Sequence, residues 1–381
     1  MKSNRIESID ILKGLVMVLM AIDHVRVYSG ISAGSLEVGE FFTRWITHFC
    51  APAFTFFAGT SILLMDKKIN DKRKLSKQLF IKGVILIILE LTLLHLFWTF
   101  NFNFTEYILA GVIWMLGACM IIMAAIIWLK PTVIGFLGVV IILVQQLFAK
   151  VPQYVPDSLY DPFLLFWRFI YPTGFENPQT DTVVVLYVIV PWIGVMACGY
   201  AFGMLFQMNS AQRKKICVSL GLSLTLLFLV IGSYHVFNVT DSNEPRSFVL
   251  ELLRQQKYPA SILFLMMTLG PLILLVPFVE KIKGRIINAL KLIGKVPLFY
   301  YILHILLIHL SALAVHFITE GTFHNEWFDY APFTFVPEAS KWSLLTLYTV
   351  FTADVILLYA ACKWYVQYKA THPQNKFIKY L

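Results

Sequence analysis

The chain reads as an all-α, polytopic integral membrane protein. Of its 381 residues, 58% are hydrophobic and only 14% charged, and the apolar residues gather into ten runs of membrane-crossing length. Mean hydropathy is +0.72. Water-soluble domains carry about 25% charged residues, so a soluble globular fold and a disordered chain are both excluded. The apolar excess is bulky, with 32 Phe, 17 Tyr and 9 Trp.

A helix rises about 1.5 Å per residue, so crossing roughly 30 Å of hydrocarbon takes about 20 mostly apolar residues. The first expected span, 12–31, follows Lys2, Arg5 and Lys13 and is interrupted by Asp23-His24-Val25-Arg26. That interruption, with no small-residue cleavage site after it, reads as a retained span rather than a signal peptide. The second, 43–65, opens on Arg44, Trp45, Thr47 and His48, then carries Pro52 and Gly59. The third, 79–98, contains Glu90 and His95; the fourth is 107–129, and the fifth, 132–149, lies between Pro131 and Pro152. The sixth to eighth are 182–206, 216–236 and 258–279. The ninth, 294–317, is rich in histidine, and the tenth, 342–364, contains Asp354.

The longest hydrophilic connection, 150–181, is too short for a soluble catalytic domain, so residues 1–381 are read as a single transmembrane domain. It mixes Pro152, Pro156, Pro162, Pro172 and Pro178 with Tyr160, Trp167, Phe169 and Tyr171. Short turns and an interfacial segment are expected there, either as a lid at a substrate mouth or as membrane-surface packing.

The net charge of +9 would raise the question of nucleic acid in a soluble protein, but its distribution follows topology instead. With the N-terminus cytoplasmic, 23 of the 31 Lys and Arg residues fall on the inner side, leaving Arg26, Arg44, Lys150, Arg168, Arg246, Arg254, Lys257 and Lys341. This predicts cytoplasmic N- and C-termini and no nucleic-acid partner. The five cysteines form no CxxC pair and read as buried thiols.

Chemistry is expected where ionisable groups interrupt spans, because exposing them to lipid costs several kcal/mol. Asp23 lies roughly 16 Å along the first helix from Leu12, near mid-membrane. Asp23 and His24 point about 100° apart and need not bond each other, whereas Asp23 and Arg26 are three apart and share a face. His24 reads as a base or transient acyl carrier; interhelical structural glue is the competing reading. His48 is placed to approach His24 from the facing helix. In the ninth span Tyr300 and His304 are i,i+4, Tyr301 and His304 are i,i+3, and His309 and His316 are seven apart, so one face borders a polar cavity. No HExxH or other compact donor set appears, so no metal is expected. A histidine can deprotonate an amine or hydroxyl near neutral pH, or itself accept a transferred group.

The run from Arg5 to Leu15, followed by Leu19-Met20-Ala21-Ile22-Asp23-His24-Val25-Arg26, resembles the opening of bacterial relatives of the heparan-alpha-glucosaminide N-acetyltransferase catalytic domain. Phe42 through Pro52 and Phe54 through Ser61 are similar too, and the likeness extends to Leu298 through His309. The resemblance implies a membrane acyltransferase that takes an acetyl or similar group from cytoplasmic acetyl-CoA or another acyl-CoA. The acceptor would be a hydroxyl or amine of an extracytoplasmic sugar or glycan. It places Lys13, which stands where arginine is common, at the first membrane entrance and Asp23-His24 facing the reaction cavity; joined to the helical spacing above, this reads catalysis on His24 with Asp23, Arg26, His48, His304 and His309, and donor binding on Lys13 with Tyr300 and Tyr301. Lys13 lies roughly 16 Å from His24 along the helix, a span an extended pantetheine arm can bridge. Membrane lipids, and optionally a second copy of the chain, complete the expected partners, in a bacterial inner membrane. The alternative is a transporter or flippase for a sugar or lipid-linked substrate, which would use the same intramembrane polar groups.

Overall fold

The structure is a computed structural model that describes residues 6–172, 177, 179–239, 247–372 and 374; Lys2, Arg5, Pro178, Arg246 and the tail beyond 374 lie outside the described residues. Its elements run α1 (Glu7–Tyr28), α2 (Val38–Ile69), α3 (Lys72–Thr99), β1 (Ile108–Ala110), α4 (Val112–Ile126), α5 (Pro131–Tyr154), α6 (Asp157–Trp167), β2 (Val183–Val185) and α7 (Trp192–Gln207). They continue with α8 (Ser210–Val239), α9 (Phe248–Leu253), α10 (Ile262–Val279), α11 (Arg285–Ile293), α12 (Pro297–Glu320) and α13 (Leu344–Thr371). Polar caps fix several starts. Asp71 accepts the Lys74 N–H at 3.0 Å before α3, Ser261 that of Phe264 at 3.0 Å before α10, and Ser343 that of Thr346 at 3.2 Å before α13.

Among the described residues, seven helices, α2, α3, α5, α8, α10, α12 and α13, are long and apolar enough to cross a membrane. The other three expected spans take a different form. α1 has the length, 22 residues, but carries Glu7, Asp10, Lys13, Asp23 and Arg26. It is wrapped by α2, α10, α11, α12 and α13, which bury Asp10 and Arg26 and partly cover Lys13 and Asp23, while Glu7 at its start stays exposed. α4 has only 15 residues, because the front of segment 107–129 is the strand β1. The front of segment 182–206 is likewise β2, with α7 beginning only after Pro191.

The bundle is otherwise helical, as the composition predicts, and these two short strands interrupt it. β1 and β2 pair in parallel, Ile108 with Val183, Leu109 with Val184 and Ala110 with Val185. A run of β-branched valines favours extended backbone once a partner strand is at hand. The ribbon packs against the Glu90–Leu94 stretch of α3 and against α4, and its Leu109 reaches the site described below.

Packing is tightest where glycine removes the side chain. A Cβ on Gly14 would sit 1.9 Å from the Leu290 carbonyl oxygen, and one on Gly294 would sit 1.8 Å from that of Asp10. α1 and the segment around α11 therefore touch backbone to backbone. α8 behaves oppositely: it pairs with α10, and Leu226, Val230 and Phe237 remain exposed, as a lipid-facing surface requires. Arg213 clamps this pair by a two-pronged contact with Glu280 at 2.9 and 3.1 Å. In the 150–181 connection, α6 exposes Leu165 and Phe166 to the surroundings. None of its described residues lines either large cavity.

Candidate functional site

Two cavities lie inside the bundle, back to back. A polar cavity of about 170 Å³ is lined by Asp23, His24 and Arg26 of α1, Arg44, Thr47 and Cys50 of α2, Glu90 and Trp98 of α3, and Tyr187, Lys257 and Tyr258 from connections. An apolar cavity of about 290 Å³ runs between α1, α2, α3, α4 and α12, with Lys13, Ser61, Gln78 and Lys82 as its polar groups. Phe54, Val112 and Tyr301 line both, so the dividing wall is about one side chain thick.

His24 and His304 meet across the α1–α12 contact, with Nδ1 of His24 2.7 Å from Nε2 of His304. The hydrogens on this pair follow from the surroundings. Nδ1 of His304 faces the carbonyl oxygens of Tyr300 at 3.1 Å and Tyr301 at 2.5 Å. Carbonyls only accept, so His304 carries its hydrogen on Nδ1 and presents a bare Nε2. His24 must then donate from Nδ1, which leaves the Nε2 lone pair of His24 for the cavity that it lines. The protein offers that nitrogen no hydrogen-bond partner among the described residues. Trp98 packs against His24 with ring centres 4.8 Å apart, and its carbonyl is held by the Tyr28 hydroxyl at 2.6 Å.

The expected Asp23–Arg26 pair is present. Arg26 donates through Nε to Asp23 Oδ1 at 3.0 Å and binds the Ile31 carbonyl at 2.8 Å, which fixes the turn after α1. Asp23 orients Arg26 rather than His24, as their helical spacing requires. Glu90 sits in a π turn of α3, Glu90–Leu94, and its Oε2 accepts the Ile113 and Trp114 N–H groups at 2.9 and 3.2 Å. This carboxylate caps the positive end of α4. The cap needs Gly111, since a Cβ there would lie 2.4 Å from Glu90 Oε1.

Not every residue expected at the site reaches it. Lys13 lines the apolar cavity and donates to Ser61 Oγ at 2.7 Å, and Tyr301 stands in the shared wall. Tyr300 is buried and lines neither cavity; its ring stacks on His304 with centres 5.5 Å apart, and its carbonyl faces His304 Nδ1 at 3.1 Å. His309 is stacked on Phe100 at 3.8 Å and held by the Phe97 carbonyl at 3.0 Å, outside both cavities. His48 packs on Phe264 and lines a separate small pocket instead of approaching His24, because the 3₁₀ turn Ile46–Phe49 rotates it away while presenting Thr47. No group of three or more His, Cys, Asp or Glu side chains suited to a metal ion occurs among the described residues.

Sequence reasoning missed Lys257, Lys82, Ser61 and the role of Glu90. By position in the chain Lys257 reads as an ordinary outer cation, yet it is 8% exposed. Its signal is its place in Lys257-Tyr258-Pro259, directly before a span. Burial works against its charge, but Tyr258 and Asp23 hold its pKa above the ordinary lysine value, so the ammonium is retained.

The family model described as heparan-alpha-glucosaminide N-acetyltransferase, catalytic, matches residues 5–237. The match covers α1 through most of α8 and includes Lys13, Asp23, His24 and Arg26. Lys257, Tyr301 and His304, with the likeness read at Leu298–His309, lie beyond it. No curated protein matches the chain.

Proposed function

The chain belongs to the heparan-alpha-glucosaminide N-acetyltransferase catalytic family, and from that premise we propose that it moves an acetyl or similar acyl group from cytoplasmic acyl-CoA to a hydroxyl or amine of an extracytoplasmic sugar or glycan. The observation that carries the proposal is the His24–His304 hydrogen bond beside a wall common to two cavities. The chain is read as one transmembrane unit over 1–381 in a bacterial inner membrane, both termini inside.

In this reading the apolar cavity receives the donor. Lys13 and Lys82 stand at the basic, cytoplasmic side, where ammonium groups suit CoA phosphates. The arm then runs between Met17, Ile62, Leu116 and Met120 toward Tyr301. A cavity of about 290 Å³ holds far more than one water, whose share of liquid is ~30 Å³.

The acceptor enters the polar cavity and approaches His24 Nε2 to within about 3 Å. That nitrogen takes the acceptor proton as the acceptor oxygen or nitrogen bonds to the thioester carbonyl carbon. The C–S bond breaks, and the CoA thiolate recovers the proton from His24. His304 stabilises the transient imidazolium by accepting from its Nδ1–H, and its two backbone carbonyl contacts keep it in the accepting tautomer.

The test is labelled acetyl-CoA supplied to protein in lipid nanodiscs with fractionated envelope glycans, comparing native protein with H24A and D23N. Labelled glycan formed by native protein and lost in folded H24A supports the proposal. Solute uptake without acyl transfer would replace it with the transport alternative.

A further inference from the structure

Six acidic or basic side chains line the polar cavity: Asp23, His24, Arg26, Arg44, Glu90 and Lys257. Their charges do not cancel. Asp23 is taken by Arg26, and Glu90 by two backbone N–H groups of α4. Two cations remain. Arg44 donates to the Ala33 carbonyl, and Lys257 lies over the rings of Tyr187 and Tyr258 at 5.8 and 5.1 Å. Among the described residues neither has a carboxylate within 4 Å, although Lys257 is buried. A buried cation is costly unless an anion or a full set of acceptors meets it. Arg44 also lines an adjoining pocket of about 80 Å³, but there Glu40 stands with it and Arg254 is paired with Glu251 at 3.7 Å, so the excess positive lining belongs to the polar cavity. Such a lining attracts anions and repels ammonium groups.

We propose that the acceptor carries an anionic group, a phosphate or a carboxylate on or next to the sugar, and that Lys257 and Arg44 bind it in the polar cavity. The word acceptor rests on the acyl-transfer reading above; the anion site itself does not. Lys257 and Arg44 descend from different parts of the chain, and the small cavity, about 170 Å³, keeps an anion bound there close to His24. The bound anion completes the charge balance that the protein leaves open, and it directs a neighbouring hydroxyl or amine toward the imidazole.

The experiment uses the full chain in nanodiscs with acetyl-CoA and three acceptors that differ in charge: methyl glucoside, glucose 1-phosphate and methyl glucuronide. Binding of the same sugars without donor is measured in parallel by native mass spectrometry. The expected result is an affinity and KM for the anionic sugars better than for the neutral one by about tenfold. Lys257→Met erases that preference and Lys257→Arg restores most of it. The phosphate and carboxylate arms identify which anion is preferred. Equal or better use of methyl glucoside, or a preference that survives K257M, overturns the inference. If no sugar is acylated while Lys257-dependent anion binding persists, the anion site stands and the acyl-transfer reading falls.

Discussion

The two cavities are built by different means. The apolar one is made of regular helix: Ala58, Ser61, Ile62 and Met65 of α2 recur at helical spacing, and so do Val112, Leu116 and Met120 of α4. The polar one is made where regularity stops. Apart from Tyr301 of α12, its polar side chains come from the last turns of α1, the irregular start of α2, the π turn and last turn of α3, and the connections holding Tyr187, Lys257 and Tyr258. A passage for a flexible arm needs only a smooth, continuous lining. A reaction chamber needs polar atoms aimed at one point, and helix interruptions supply them because they release side chains and backbone groups from the helical repeat.

The largest effect that would break this contrast comes from His24. Removal of a general base lowers rates by about 10²–10⁴-fold. H24A should therefore abolish measurable transfer while leaving CoA binding to the apolar cavity intact, as read by turnover and by equilibrium binding of labelled CoA. Loss of both together would mean that the cavities are not separate functional compartments.

His304→Gln comes next. It removes the acceptor that orients His24 without opening a large void, and kcat should fall by about 10²-fold with little change in the KM for donor or acceptor. A purely structural His304 would instead lower thermal stability and leave the activity of the folded fraction unchanged.

A milder change is expected from Lys13→Ala at the far end of the apolar cavity. Deleting one charge-assisted hydrogen bond to a partly solvated phosphate should raise the KM for acyl-CoA by about tenfold and leave kcat in place. Saturation kinetics in the donor separate this from a defect in chemistry. The smallest effect belongs to His48→Ala, which should alter turnover by less than about twofold because His48 faces Phe264 and a separate pocket. A drop comparable to that of H304Q would bring His48 back to the reaction.

The same contrast explains what could be read from the chain. The helical segments were legible because long apolar runs have few alternatives to burial or lipid, and the Asp23-His24-Arg26 feature was visible as charge placed where hydrocarbon was expected. The Asp23–Arg26 ion pair followed from helical spacing alone. The His24–His304 contact joins residues 280 positions apart, and no local period encodes it. Tyr300 and Tyr301 show the limit at finer scale: both precede His304 by about one turn, yet the contacts that fix its tautomer come from their carbonyls. Lys257 was hidden because a lysine at a span edge looks like a topology marker until the fold turns it inward. β1 and β2 were missed because short apolar runs suit a buried helix as well as a strand, and only their pairing decides.

The wall of Phe54, Val112 and Tyr301 has an electrical consequence in the proposed orientation. If the cavities open to opposite sides, much of the transmembrane voltage falls across that thin barrier, where each elementary charge carried through involves about 2.3 kcal/mol per 100 mV. Bringing whole acyl-CoA across would move several negative charges through the field. In that orientation the acetyl group passed outward is matched by the acceptor proton passed back to the CoA thiolate, so no net charge crosses the wall, the charged carrier stays inside and the voltage does no net work on the reaction.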